Sequence, residues 1–166
     1  MIQSARSRAS GILFLFSFIQ GVANGIWGFL PIFLLDLGGS AVDIGLLSMV
    51  PGIASTFMQL AWGRVSDRLG NSPRMVSSGF LFSSLLSIPI LFSTHPWQVI
   101  SASTVQSLLG SVATVATFVM LADFLDPGHT ASFMGIYNPI GFGGNMLGSF
   151  GAGLLIPLLG YRYSLF

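Results

Sequence analysis

Five long stretches of this chain contain no charged side chain at all. Only 7% of the residues are Asp, Glu, Lys or Arg, whereas about a quarter are charged in soluble domains. Runs of about 20 apolar residues have the length that a helix needs to cross a bilayer. Membrane-spanning β-strands would appear as roughly ten-residue alternating segments, and these runs do not alternate. Because backbone groups in lipid must be paired internally, the sequence predicts an all-α integral membrane protein.

The uncharged runs predict five transmembrane helices within a single partial transmembrane domain, residues 1–166. The predicted spans are residues 11–35, 44–63, 75–93, 97–122 and 131–159. Arginines indicate the orientation, because cytoplasmic loops carry an excess of basic residues. With a cytoplasmic N-terminus, five arginines lie inside and only Arg162 lies outside. We therefore expect a multi-pass protein of the plasma membrane with its N-terminus in the cytoplasm.

Several kinds of chemistry find no support in the sequence. The chain has no Cys, and His95 and His129 fall in predicted loops on opposite sides of the membrane, so no metal site is expected. No embedded nucleophile stands with a base or a paired acid, which argues against an enzyme. The dispersed arginines form no basic stripe for nucleic acid. We expect no cofactor, no metal and no nucleic-acid partner.

A compact polar motif joins the second and third predicted spans. It consists of Gly63, Asp67, Arg68 and Gly70, followed by Arg74. An acid there can sit against a helix N-terminus, and an arginine can reach a carboxylate across the bundle. The two glycines are expected to permit tight turns on either side of a loop. The alternative is a positively charged loop that only sets the topology.

The order Gly-x-x-x-Asp-Arg-x-Gly in this link resembles motif A of the major facilitator superfamily. The chain departs from that motif at Asn71 and Ser72, where the family usually has basic residues. The resemblance implies a cytoplasmic gate latch that stabilises an outward-open state. An acid closing the fourth helix, here Asp123, would join Asp67, Arg68 and Arg74 in that latch.

The resemblance further implies the N-terminal bundle of that fold, lacking helix 6 and the second half. The implied function is secondary-active transport of a small solute by alternating access. Its implied partners are the lipid bilayer, a small-molecule substrate, a coupling ion and the missing C-terminal half. Two alternatives remain open at this point: a small non-transporting membrane scaffold or partner subunit, and a non-functional truncated product.

Polar side chains inside predicted spans are candidates for a substrate cavity, because they are costly in lipid unless they pair or line water. The resemblance implies that helices one and four line the central cavity and that helices two and five flank it. The alternative is that these side chains hold neighbouring helices together. The candidates are Gln20, Asn24 and Trp27 in the first span, Gln106 and Thr114 in the fourth, and Asn138 and Asn145 in the fifth.

Small residues at helical spacing predict close contacts between helices. One such series begins with Gly45, Ser48 and Gly52 in the second span, and another comprises Gly144, Gly148 and Ala152 in the fifth. In lipid, small side chains let helix backbones approach each other closely. We therefore expect both series to pack against a neighbouring helix.

Overall fold

A computed structural model describes the backbone of residues 2–69, 72–124 and 130–159, and the side chains of residues 11–68, 74–121 and 132–158. Every element in these segments is an α-helix, which confirms the all-helical prediction. The helices are α1 (Ile2–Trp27), α2 (Leu30–Asp36), α3 (Ala41–Leu69), α4 (Ser72–Leu91), α5 (Pro96–Phe124) and α6 (Thr130–Leu159).

Four spans in the described part of the chain are long and apolar enough to cross a membrane. They are Gly11–Asp36, which combines α1 and α2, then Ala41–Arg68, Arg74–Leu91 and Pro96–Leu121. The fifth predicted span corresponds to α6, whose 30 residues exceed the necessary length. Helix α6 carries no Asp, Glu, Lys or Arg, but it is not among these four spans. Its passage through the membrane stays a prediction.

Large apolar side chains cover much of the helix surface. Phe57, Phe92, Phe150 and Leu158 are each between 67% and 79% exposed. Exposed apolar area on this scale is unfavourable in water but is solvated by lipid tails. The exposure pattern agrees with a multi-pass membrane protein.

The prediction of a loop beginning at Gly63 is wrong. Helix α3 continues to Leu69, so Gly63, Asp67 and Arg68 lie in its last turns. No proline follows Gly63 before Leu69, and a single interior glycine costs a helix only about 1 kcal/mol. The polar end of the motif therefore extends the helix beyond its apolar stretch, and Gly63 makes no turn.

The first predicted span is interrupted, where the sequence predicted one continuous helix. Helix α1 ends at Trp27 and α2 begins at Leu30. Pro31 explains the break, because proline lacks the N–H that would bond to the carbonyl of Trp27, four residues earlier, and its ring clashes with that carbonyl. The N–H of Phe29 turns instead to the carbonyl of Ile26, at 3.1 Å.

Local signals position the turn between α2 and α3. Gly38 adopts a positive φ of 85°, and the N–H groups of Gly38 and Gly39 donate to the carbonyls of Leu35 and Leu34. This pattern is a Schellman motif, which glycine favours because it has no Cβ. Ser40 and Asp43 then exchange hydrogen bonds at the start of α3, as a capping box does.

The chain divides into two compact units, residues 1–33 with 128–166 and residues 34–127. The first contains α1 and α6, and the second contains α3, α4 and α5. In the second unit, the indole N–H of Trp62 on α3 donates to the carbonyl of Leu108 on α5, at 3.1 Å. Gly79 lets α4 approach the backbone of α5 at Ala113.

The two series of small residues behave differently. Gly144 and Gly148 of α6 pack against the α1 backbone, as predicted. A Cβ placed on Gly45 or Gly52 of α3 would meet no described atom within 4 Å, so the α3 series makes no close contact in the described part of the chain. Spacing alone indicates that a helix face can accept a close neighbour, and the neighbour itself is set by the tertiary fold.

Candidate functional site

Helices α1 and α6 run parallel with backbones in close contact at glycines. Gly21 faces the carbonyl of Gly141, and Gly25 faces the carbonyl of Asn145. Any Cβ at either α1 glycine would overlap the α6 backbone. Each of these α1 glycines contacts the α6 residue 120 positions later in the sequence. Residues four apart lie on the same face of a helix, so both contacts belong to one alignment of the two helices. This glycine contact fixes the register of the two helices.

Side-chain contacts continue nearly the same register toward the N-terminal ends of the two helices. The hydroxyl of buried Ser17 donates to the carbonyl of Tyr137 at 2.9 Å. The rings of Phe14 and Phe133 stack with centroids 5.0 Å apart. Interhelical hydrogen bonds in membranes contribute about 0.6 kcal/mol each on average, so most of the specificity of this pair comes from the close glycine packing.

The two sides of the glycine contact differ. On one side, Gly144 and Gly148 lie against the backbone of Phe18 and Val22 and leave no room for a Cβ. On the other side, the residues next to the contact are larger and include Gln20, Asn145 and Phe142. Because that side is not filled by packing, it forms a recess between α1 and α6.

That recess is a cavity of about 190 Å³. It is smaller than the roughly 300–1,000 Å³ typical of pockets for drug-sized ligands, and larger than the roughly 150 Å³ cavity that accommodates benzene in an engineered protein. Its lining residues are Ser17, Gln20, Gly21 and Asn24 of α1, with Asn138, Gly141, Phe142 and Asn145 of α6.

Four of the seven residues predicted for a substrate cavity meet in this recess: Gln20, Asn24, Asn138 and Asn145. Asn24 and Asn138 are exposed, and Gln20 and Asn145 are half-buried. Within the described residues, none of these four side-chain amides has a hydrogen-bond partner. Each amide offers two donor hydrogens and an acceptor oxygen, so the recess has unused hydrogen-bonding capacity.

Gln106 has a different environment, in the second unit. Its amide nitrogen donates to the carbonyl of Ser83 at 3.1 Å and to the hydroxyl of Ser87 at 2.8 Å. These bonds join α5 to α4, as expected of an amide that holds helices together. Thr114 is exposed on α5, and half-buried Trp27 ends α1. None of these three lines the recess.

The motif at the end of α3 is accessible. Asp67, Arg68 and Arg74 are all exposed, and among the residues whose side chains are described none of the three forms an ion pair. Asp123 lies in the last turn of α5, but its side chain is outside the described residues, and Gly70 is outside them altogether. Ser66, between the charged positions, is 4% exposed with its hydroxyl unpaired.

Sequence reasoning missed half of the lining and the contact that creates it. Ser17, Gly21, Gly141 and Phe142 were not among the candidates, although they line the recess. A usable signal was present, because Gly21 and Gly25 form a small-xxx-small pair of the kind that brings membrane helices together. The matching positions on α6 could not be read from spacing, since they depend on the register of the two helices.

Comparison with known proteins gives a family and several partial relatives. The model of the Major Facilitator Superfamily matches residues 11–166. The chain is 32% identical over 91 residues to the multidrug resistance protein MdtG of Escherichia fergusonii and 33% identical to that of Enterobacter lignolyticus. The MdtG protein of Citrobacter koseri is 32% identical over the same length.

Each of these matches covers 52% of this chain and 22% of the relative. The matched segment is therefore about a fifth of each relative's length. No solved structure matches the chain significantly.

Proposed function

Because the chain belongs to the Major Facilitator Superfamily, we propose that it serves in secondary-active transport of a small solute by alternating access. In this mechanism a central site is exposed to one side of the membrane and then to the other. The membership identifies a family of non-enzymatic membrane transporters. The solute, the coupling ion, the rocking of two halves and the need for a C-terminal half are all part of the proposal.

The observation that carries the proposal is the amide-lined recess between α1 and α6. Polar side chains within membrane spans are costly unless they pair or face water or a solute. Four amides here, including Gln20 and Asn145, have no partner among the described residues. Helices that only support each other have no need for unpaired amides, as Gln106 illustrates, because its amide nitrogen donates to two groups on α4. A pathway for a polar solute accounts for this difference.

The interruption of the first span supports the same proposal. Transporter sites are often formed by discontinuous helices, whose free backbone groups face the solute path. The break between Trp27 and Leu30 lies one turn beyond Asn24, which lines the recess. A helix that is already broken beside the cavity can bend there without losing further hydrogen bonds.

The charged motif has a separate role in the proposal. We assign Asp67, Arg68 and Arg74, with Asp123, to a cytoplasmic gate latch, and Gly63 and Gly70 to its framework. The exposure of the three described charged side chains leaves them free to pair with a partner helix. Such charge-assisted hydrogen bonds contribute about 1.5–3 kcal/mol, enough to shift a two-state equilibrium by about tenfold or more.

The substrate proposal takes its direction from the partial relatives. Those proteins carry the name multidrug resistance protein, and drug export is therefore the first substrate class to examine for this chain. We also place the protein in the plasma membrane with a cytoplasmic N-terminus, following its arginine distribution. The chain has no Cys, so a single cysteine at Ser4 or at Thr94 can be tested for labelling from one side of intact cells.

Transport can be tested with the native protein in sealed proteoliposomes. We would impose a proton or sodium gradient and measure accumulation of a panel of radiolabelled solutes, against protein-free liposomes. Gradient-dependent accumulation that is lost in Asn145→Leu is the expected result. Equal solute levels in both vesicle types, under every gradient, would leave the non-transporting scaffold as the better description.

A further inference from the structure

We propose that the recess between α1 and α6 binds an uncharged, ring-sized organic solute with hydrogen-bonding groups and rejects ions of the same shape. The inference rests on the transport function proposed above and specifies its substrate. It follows from three properties of the recess: the charge of its lining, its amides without a partner among the described residues, and its size. The recess is named here the amide pocket, lined by the eight residues given above.

The lining of the amide pocket carries no ionisable side chain. Its members are one serine, one phenylalanine, two glycines and four amides. A charge that leaves water for such an environment loses its hydration and finds no counter-charge, which costs far more than burying a neutral polar group. An ion of the right shape is therefore held less tightly than its neutral counterpart. Charge, more than shape, separates these solutes.

The amides determine which hydrogen-bonding groups the solute must carry. Gln20 and Asn24 on α1 lie across the pocket from Asn138 and Asn145 on α6, so donors and acceptors are present on both walls. A buried polar group left without a partner costs about 1–3 kcal/mol. A purely apolar solute would displace water from these amides without replacing its hydrogen bonds. A primary amide or a similar neutral group can bond to both walls at once.

The volume and the ring of Phe142 set the size and shape. A cavity of about 190 Å³ exceeds by a modest margin the roughly 150 Å³ that accommodates benzene. It therefore fits a single substituted ring. Phe142 is 69% exposed, so its face is open for offset stacking with a second ring, which adds about 0.5–1.5 kcal/mol. Gly21 and Gly141 also line the pocket.

Three probes separate charge from shape: benzamide, benzoate and benzamidinium. They share one phenyl ring and a planar three-atom head, and at neutral pH they are neutral, anionic and cationic. Binding would be measured by calorimetry on the native protein in nanodiscs of uncharged lipid, with millimolar probe. We expect benzamide to bind at least tenfold more tightly than either ion.

Matched variants locate the binding. Gln20→Leu and Asn145→Leu remove amides of the pocket and should each weaken benzamide binding at least fivefold. Gln59→Leu makes a comparable substitution on α3, in the other compact unit, and should leave binding unchanged. Thermal unfolding of each variant in the same nanodiscs identifies any that no longer folds, and Asn138→Leu then replaces it as the second test.

The outcomes distinguish this inference from the transport proposal. Equal or tighter binding of benzoate or benzamidinium would overturn the inference and leave transport untouched, since a transporter can carry ions. Absence of benzamide binding, or binding that both pocket variants retain, would overturn it as well. Benzamide binding that the pocket variants lose, in a protein that moves no solute in proteoliposomes, would uphold the pocket and refute transport.

Discussion

The hydroxyl of Ser149 on α6 donates a 3.2 Å hydrogen bond to the carbonyl of Gly25 on α1, 124 residues earlier in the chain. In a continuous helix this carbonyl would accept the N–H of Phe29. The break in the first span directs that N–H to Ile26 instead. Ser149 therefore supplies a donor that the break removed, and links the interruption of the helix to the packing of α1 against α6.

Pro31→Ala tests that link. Alanine restores an N–H that can bond to the Trp27 carbonyl, and we expect the first span to become continuous and the Gly25 carbonyl to regain the N–H of Phe29. Ser149→Ala should then cost about 0.6 kcal/mol of stability in the native protein but almost nothing in the Pro31→Ala background. Thermal unfolding of the two single variants and the double variant measures this coupling.

Pro51→Ala provides the control for that cycle, because α3 continues through Pro51 without a break. The changes in stability caused by Pro51→Ala and by Ser149→Ala should add in the double variant, as expected for independent sites. If Pro31→Ala and Ser149→Ala were also additive, the hydroxyl would not be compensating for the break.

Gly25→Ala should separate α1 from α6. Its new methyl group would overlap the carbonyl of Asn145, and overpacking of this kind costs about 1–3 kcal/mol. Gly143→Ala is the matched control on α6, because a Cβ there meets nothing within 4 Å. That control should be neutral or slightly stabilising, since alanine favours helix by up to about 1 kcal/mol. Equal unfolding temperatures for the two variants would contradict the close contact.

Two glutamines should respond oppositely to substitution by leucine. Gln106→Leu removes the bonds to Ser83 and Ser87 and should lower stability by about 1 kcal/mol. Gln20→Leu removes an amide without a described partner and should preserve or raise stability while impairing transport. Unfolding temperature and initial transport rate are measured for both. Loss of stability in Gln20→Leu with unchanged transport would assign that amide to helix packing.

Asp67→Asn tests the proposed gate latch. We expect membrane insertion to be normal and the initial transport rate of the native protein to fall by about tenfold, because a charge-assisted hydrogen bond contributes at least about 1.5 kcal/mol. Asp36→Asn, at the end of α2, is the control and should transport normally. Unchanged kinetics in Asp67→Asn, with normal expression, would remove Asp67 from the latch.

The sequence was most informative about the helices and least informative about their partners. Uncharged runs and capping residues are local, so α4, α5 and α6 begin and end close to the predicted bounds. Pro31 was overlooked because Gly11–Asp36 has the mean hydropathy of a membrane span, and hydropathy does not register a missing N–H. The motif at Gly63 was read as a loop because its residues are polar, although polar residues extend a helix readily once it leaves the bilayer.

The candidate cavity shows the same division between local and long-range information. Gln20 and Asn145 stood out as costly polar residues in apolar spans, which is a property of composition. Gln106 stood out for the same reason, yet it bonds to α4 and is not among the residues lining the recess. Composition cannot distinguish an amide that lines the recess from one that bonds to a neighbouring helix, because both are polar residues within an apolar span.

The sequence by itself therefore determined the class of the protein, its helices and the resemblance that the family comparison confirmed. These follow from hydropathy and short spacings, which act along the chain. Only the tertiary structure decided which amides lack a partner among the described residues and where these amides meet. The register between α1 and α6 depends on Gly21 and Gly25 reaching the backbone of residues 120 positions later, because close packing at glycines selects a single alignment of the two helices.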